Sequence, residues 1–181
     1  MRTHIAYTVL LTLAVAACSP DVTGNPISAA EASLARSADA SVNANANANQ
    51  KTKHIKGTVE AVEVGTPVPG NPILLRRLEG TGTATHLGRF TIVGELRLNL
   101  ATASGTGTGI YTAANGDMLM VSVTGQAVIA AGIATVTETA TVTGGTGRFE
   151  GATGTLTVIR RVVQATGVST GTIDGTITMA K

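Results

Sequence analysis

Five side chains have the chemistry and the company to form a site. His86 falls between two strand-like segments, where an imidazole titrating near neutrality could act as a base or ligand beside Arg89. The tripeptide Gly88-Arg89-Phe90 returns as Gly147-Arg148-Phe149, 59 residues further on. Two guanidiniums facing one space would hold a carboxylate through bidentate contacts. The same repeat has a structural reading, in which Gly88 and Gly147 turn corners, Phe90 and Phe149 each plug one end of the fold, and each arginine pairs with a local acid such as Glu150. Arg160 and Arg161 are adjacent, so on a strand they face opposite ways. An inward one is costly unless paired, and Glu138 is the acid that the preceding strand offers, as a buried pair or a ligand clamp. The plainer arrangement leaves both arginines wetted at an edge, and His86 as a loop residue that hydrogen-bonds a strand end. These plainer readings are preferred, for His86 because nothing in the sequence fixes a nucleophile or a carboxylate beside it.

Other chemistries lack their motifs. There is no Gly-x-Ser-x-Gly, Walker, Rossmann or His-Glu-x-x-His pattern, and no Cys/His cluster with zinc-site spacing, so neither cofactor nor metal is expected. Repeats such as Gly105-Thr106-Gly107 precede no helix and cradle no phosphate. Lys and Arg number 13 against 11 Asp and Glu, a net charge of +2, and adjacent basic residues occur only as Arg76-Arg77 and Arg160-Arg161. After Gln50 the aromatics are Phe90, Tyr111 and Phe149 alone. Nucleic-acid binding needs a clustered basic face with stacking aromatics, so no nucleic-acid partner is expected.

The elements that must position these residues are strands. From Lys53 the apolar residues recur with period two. Ile55, Gly57, Val59 and Ala61 oppose Lys56, Thr58 and Glu60, and Phe90, Ile92, Gly94, Leu96, Leu98 and Leu100 oppose Thr91, Glu95, Arg97 and Asn99. Ile173, Gly175, Ile177 and Met179 oppose Thr172, Asp174, Thr176 and Thr178. One greasy face and one polar face define an antiparallel sheet with a wet side. Asn115-Gly116 between two such runs predicts a tight hairpin with both central residues at positive φ, and Gly144-Gly145-Thr146-Gly147 predicts a corner. The expected strands are 53–64, 73–83, 89–100, 104–114, 117–128, 132–143, 151–163 and 168–179, a number and spacing that suit a barrel or sandwich. A membrane-spanning barrel would need two aromatic girdles, which three aromatics cannot build.

The N-terminus reads as an address. Met-Arg-Thr-His precedes the apolar run Ile5 to Ala14 and then Val15-Ala16-Ala17-Cys18, the layout of a secretory signal. The run is too short for a membrane-spanning helix, which takes roughly 20 residues. Val15-Ala16-Ala17-Cys18 resembles the bacterial lipobox, which implies cleavage before Cys18 and acylation of its sulfur; an ordinary cleaved signal with an incidental cysteine is the other option. Two or more acyl chains hold a protein stably at a membrane. The expected organisation is a signal peptide at 1–17, a lipid-anchored disordered tether at 18–52 rich in Ala, Asn and Ser, and a barrel domain at 53–181. The expected place is the cell envelope, with the domain facing the periplasm from the outer membrane if the host is Gram-negative.

Three segments, Ala84-Thr-His-Leu-Gly-Arg-Phe90, Thr112-Ala-Ala-Asn-Gly-Asp117 and Gly144-Gly-Thr-Gly-Arg-Phe-Glu-Gly-Ala152, resemble in order and spacing bacterial members of the allene oxide cyclase and dirigent barrel superfamily. Dirigent-like proteins carry a comparable Gly-Gly-Thr-Gly-x-Phe corner before a late strand. The resemblance implies an all-β fold, an eight-stranded antiparallel closed barrel with a largely apolar interior. The function expected is that of a non-enzymatic envelope lipoprotein whose barrel binds a small apolar ligand or serves as a structural or adhesion module. The alternative is an isomerase or cyclase acting on a small hydrophobic substrate in the lumen, and a further option is a homo-oligomer formed through an outer barrel face.

Overall fold

A computed structural model describes residues 50–180. Eight antiparallel strands follow one another in chain order: β1 (Gln50–Pro67), β2 (Ile73–Ala84), β3 (Gly88–Asn99), β4 (Ser104–Ala113), β5 (Met118–Ala130), β6 (Ile133–Gly145), β7 (Thr153–Val163) and β8 (Val168–Ala180). Each strand pairs with the next, and β8 returns to β1 from Val62↔Val168 to Gln50↔Ala180, so the sheet closes on itself. The chain forms the all-β eight-stranded antiparallel closed barrel that the family resemblance implies, and the alternation, which suited barrel or sandwich alike, puts one side of every strand in the lumen. Along β1 the buried positions are Ile55, Val59, Ala61 and Glu63; along β7 they are Leu156, Val158, Arg160 and Val162. Threonines such as Thr58, Thr91, Thr155 and Thr172 line the exposed outer wall.

The two barrel ends differ. At the end where β2 meets β3, β4 meets β5 and β6 meets β7, the lumen is filled. Phe149, at 0% exposure on a 3-10 turn (Gly147–Phe149), packs into a core that includes Ile55, Leu87, Leu119 and Ile177. Phe90 meets Tyr111 edge-on, with ring centroids 5.3 Å apart, a geometry that suits the ring quadrupoles. The two phenylalanines therefore plug one and the same end, not opposite ends. The reason is connectivity: Gly88 opens an odd-numbered strand and Gly147 follows an even-numbered one, so both corners fall on one rim. Both glycines turn their corners in the left-handed region, at φ 71° and 56°.

The Asn115-Gly116 hairpin is present with a different turn. Only Gly116 takes positive φ, at 88°. The Gly116 amide donates to the Ala113 carbonyl at 2.9 Å, and the Ala113 amide donates to that of Asp117 at 2.9 Å. This is a three-residue loop ending in a left-handed glycine. Asn115 instead uses its side chain, Nδ2 donating to the Asp117 carboxylate at 2.7 Å.

Candidate functional site

Charged side chains are rare in a barrel lumen, yet here four polar or charged residues, Glu63, Glu138, Arg160 and Ser169, are buried. They come from β1, β6, β7 and β8, and half-buried Arg76 joins them from β2. The Arg160 guanidinium makes a bidentate pair with Glu138, Nε to Oε2 at 3.0 Å and Nη2 to Oε1 at 2.6 Å. Its Nη1 donates to Glu63 Oε1, and to Ser169 Oγ at 3.2 Å. Glu63 Oε2 accepts from Arg76 Nη1 at 3.1 Å. Two guanidiniums and two carboxylates thus form one chain, Arg76–Glu63–Arg160–Glu138, with no net charge.

The local sequence makes room for it. Glu138 pairs across the sheet with Gly125, and Arg160 with Gly171. A Cβ on Gly125 would stand 2.7 Å from Glu138 Cγ, and one on Gly171 would stand 2.7 Å from Arg160 Cγ. Each long side chain therefore lies over a glycine and reaches the lumen.

Burial opposes the charge on Arg160, but hydrogen bonds and attraction from Glu138 and then Glu63 outweigh it, and its pKa is raised. The guanidinium stays charged. Tyr111 lies beyond the cluster, towards the filled end. Burial pushes its phenol above the usual range, the charge of Glu138 adds to the rise, and Arg160 works against it. A void of about 30 Å³ separates ring and cluster, room for a single water.

Above the cluster the lumen opens. A cavity of about 240 Å³ has Glu63, Arg76, Glu138 and Arg160 at its base, Leu74, Leu96, Leu98, Val123 and Val136 on its walls, and Leu100, Ile129 and Gln164 towards its mouth. Gly105, Ala127 and Ala134 line it too, and their small size leaves the space free. Arg76 Nε is the one buried side-chain polar atom among the described residues without a hydrogen-bond partner.

The residues singled out from sequence fall into two places. Glu138 and Arg160 meet in the lumen, so the arrangement with both arginines wetted is corrected: Arg160 is 4% exposed and only Arg161 faces water. The inner face of β7 runs on past mid-barrel, and Glu63 arrives from a strand 97 residues away to share the charge. His86, Arg89 and Arg148 lie at the filled end, away from the cavity. His86 is exposed, with a left-handed φ of 64°. Arg89 points to the outer wall, while Arg148 folds over the end cap. Its Nη2 donates to the Leu87 carbonyl at 3.2 Å, its guanidinium lies 4.8 Å from the Phe149 ring centre, and its acid is Asp117 at 3.8 Å rather than Glu150. The two arginines share no pocket. Gly88, Phe90, Asn115, Gly116, Gly147 and Phe149 are corner and plug residues. Cys18 lies outside the described residues, and among those described no group of three His, Cys, Asp or Glu could hold a metal ion.

Glu63, Arg76 and Ser169 escaped the sequence reading. Glu63 had a legible sign, since Ile55, Gly57, Val59 and Ala61 set a parity that places Glu63 inside and Val62 and Val64 outside.

Two solved structures share this architecture. The pterocarpan synthase dirigent protein GePTS1 superposes with a TM-score of 0.55 at 14% identity, over 74% of this chain and 87% of that one. The pterocarpan synthase dirigent protein PsPTS1 gives 0.54 at 15% identity, over 72% and 97%. No family model matches the chain, and no curated protein matches it in sequence. At such identities the likeness is one of fold, and the cavity and its ion-pair chain stand on a dirigent-like barrel.

Proposed function

We propose that this chain is a lipid-anchored envelope protein whose barrel binds, without transforming it, a small and mostly apolar molecule that carries one hydrogen-bond acceptor. The observation that supports it is the cavity of about 240 Å³, apolar on its walls, with the unpartnered Arg76 Nε at its base. Ligand sites are concave, mainly apolar and oriented by a few polar groups. A dry cavity of about 150 Å³ admits benzene, so this one suits a molecule of roughly ten heavy atoms. A buried donor left unpaired is costly, and a carbonyl, ether or carboxylate oxygen on the ligand would relieve it. The anchoring half of the reading is supported by Val15-Ala16-Ala17-Cys18.

A second reading, a lumen isomerase or cyclase, is favoured by the neighbours being named pterocarpan synthases. Against it, both lumen carboxylates already serve guanidiniums. A proton-transfer catalyst needs an acid or base within reach of substrate and near the working pH.

Native mass spectrometry of the protein purified from its own host tests the proposal. The expected spectrum shows a bound small molecule that is recovered unchanged after extraction and is lost from Arg76→Leu. A clean apo mass, together with no uptake of apolar compounds from the host's extract, would overturn it; recovery of a chemically converted compound would favour the enzyme.

A further inference from the structure

We propose that the rim around the cavity mouth seats the barrel on a lipid bilayer, so that the lumen opens towards the membrane. Among the described residues, the large apolar side chains left exposed are unevenly spread. Val93, Ile110 and Ile159 sit mid-barrel, and all the others lie at the open end, with Val64 at 66%, Leu100 at 60%, Val128 at 73% and Ile129 at 60% exposure. The four connections at that end, 68–72, 100–103, 131–132 and 164–167, contain no charged residue. The filled end is the reverse, carrying Lys51, Lys53, Asp117, Arg148 and Glu150 on strand ends and loops.

A large exposed apolar patch marks an interaction site, and the charges behind this one choose its partner. Moving back along the outer wall from the rim, the first ones met are Arg97 and Arg161, both exposed. Arg97 lies three residues before Leu100, about 10 Å along the strand. An interfacial apolar face sinks roughly 5–10 Å into a bilayer, which leaves these guanidiniums level with the lipid phosphates, the depth to which long cationic side chains reach. Further from the rim on the same wall, Arg77 stands opposite Glu95 across the sheet and pairs with Glu79 at 2.7 Å. Apart from Val93, Ile110 and Ile159, the outer wall beyond is mainly threonine and charge, so the barrel rests on the surface and does not span it.

The chain allows this orientation. Thirty-one residues separate Cys18 from Gln50, a length that reaches at most about 100 Å. A twelve-residue strand such as β3 is about 40 Å long. Although β1 starts at the filled end, the connection is long enough for either end of the barrel to meet the membrane.

The inference rests on the anchored, ligand-binding reading only for its purpose, and the test separates the two. The chain from Ser19 onward, which contains the whole barrel and lacks any acyl chain, is floated on a density gradient with vesicles of phosphatidylglycerol and phosphatidylcholine. It is expected to float with them, and less with phosphatidylcholine alone. Val64→Ser with Val128→Ser, which line no part of the cavity, is expected to lower the bound fraction about tenfold while circular dichroism and lumen ligand stay unchanged. Lys53→Ser at the filled end should float like the parent. Absence of flotation, flotation indifferent to the rim substitutions, or a dimer in sizing chromatography that those substitutions split would each overturn the proposal. The last outcome would make the rim a contact between copies. Flotation with no lumen ligand would instead leave docking intact and remove the binding proposal.

Discussion

At Arg160 two opposing costs meet. Taking a guanidinium out of water is expensive, and only near-complete hydrogen bonding offsets it. Here Glu138 takes two donors, Glu63 and Ser169 take another, and the pKa rises. The pair is thus a matter of arrangement more than of net stability, and removing one partner should show it. Glu138→Ala leaves a buried cation half-compensated, with an expected loss of about 3–5 kcal/mol, measured as a fall in the urea midpoint. Arg160→Met combined with Glu138→Leu leaves Glu63 its bond to Arg76, and is expected to be more stable than Glu138→Ala alone. A double variant as weak as the summed singles would refute this account. Tyr111 supplies a pH test. Its phenol is raised in the folded chain by burial first and Glu138 second, whereas in the unfolded chain it titrates near its ordinary 10.0. A raised acid binds its proton more tightly when folded, so the contribution is whole below about pH 10 and is lost as pH climbs towards the folded value. Urea midpoints near pH 8 and near pH 11 should therefore converge for Tyr111→Phe relative to the parent, whose midpoint drops more.

At the scale of strands and turns, the alternation already contained most of the architecture. The apolar parity of Phe90 to Leu98 and of Ile173 to Met179 puts those residues where the lumen is, because a one-residue slip would turn every greasy side chain to water. Turn residues located the corners at Gly116 and Gly147, since only glycine takes those dihedrals cheaply. What parity does not contain is which strand lies beside which residue after closure. Glu138 and Arg160 sit on neighbouring strands, and their meeting was a readable option. Glu63 reaches Arg160 only because β8 returns to β1. Closure also puts β2 next to β1, which brings Arg76 to Glu63. The tripeptide repeat misled for the same reason: its two copies look like one device used twice, but strand parity sends both to one rim, where Arg148 covers Phe149 and Arg89 faces solvent. The glycines opposite Glu138 and Arg160 clear space for two charged side chains, a role that depends on cross-strand register and so is invisible along the chain.

Over the whole barrel, tight packing and open space belong to different ends. The filled end holds the aromatic residues and the tightest burial, with Phe149, Leu119, Ile55 and Ile177 all at 0% exposure. The open end has small residues on its inner face and a cavity where the other end has rings. If the ends work separately, one substitution at each should move one property and spare the other. Phe149→Ala removes a fully buried ring and should cost about 3–5 kcal/mol, seen as a lower thermal midpoint, while the cavity and its ligand remain. Ala127→Phe places a ring in a space that is already empty. Ala127 is half-buried and lines the cavity, so the ring meets no packed neighbour and should leave the midpoint within about 1 kcal/mol of the parent. It would nonetheless occupy the volume that the ligand needs, and native mass spectrometry should lose the adduct. Should Ala127→Phe keep its adduct, the small molecule lies somewhere other than the lumen. Should it unfold the barrel, the open end is packed more tightly than its exposed rim implies, and division of labour between the ends fails as an explanation of the fold.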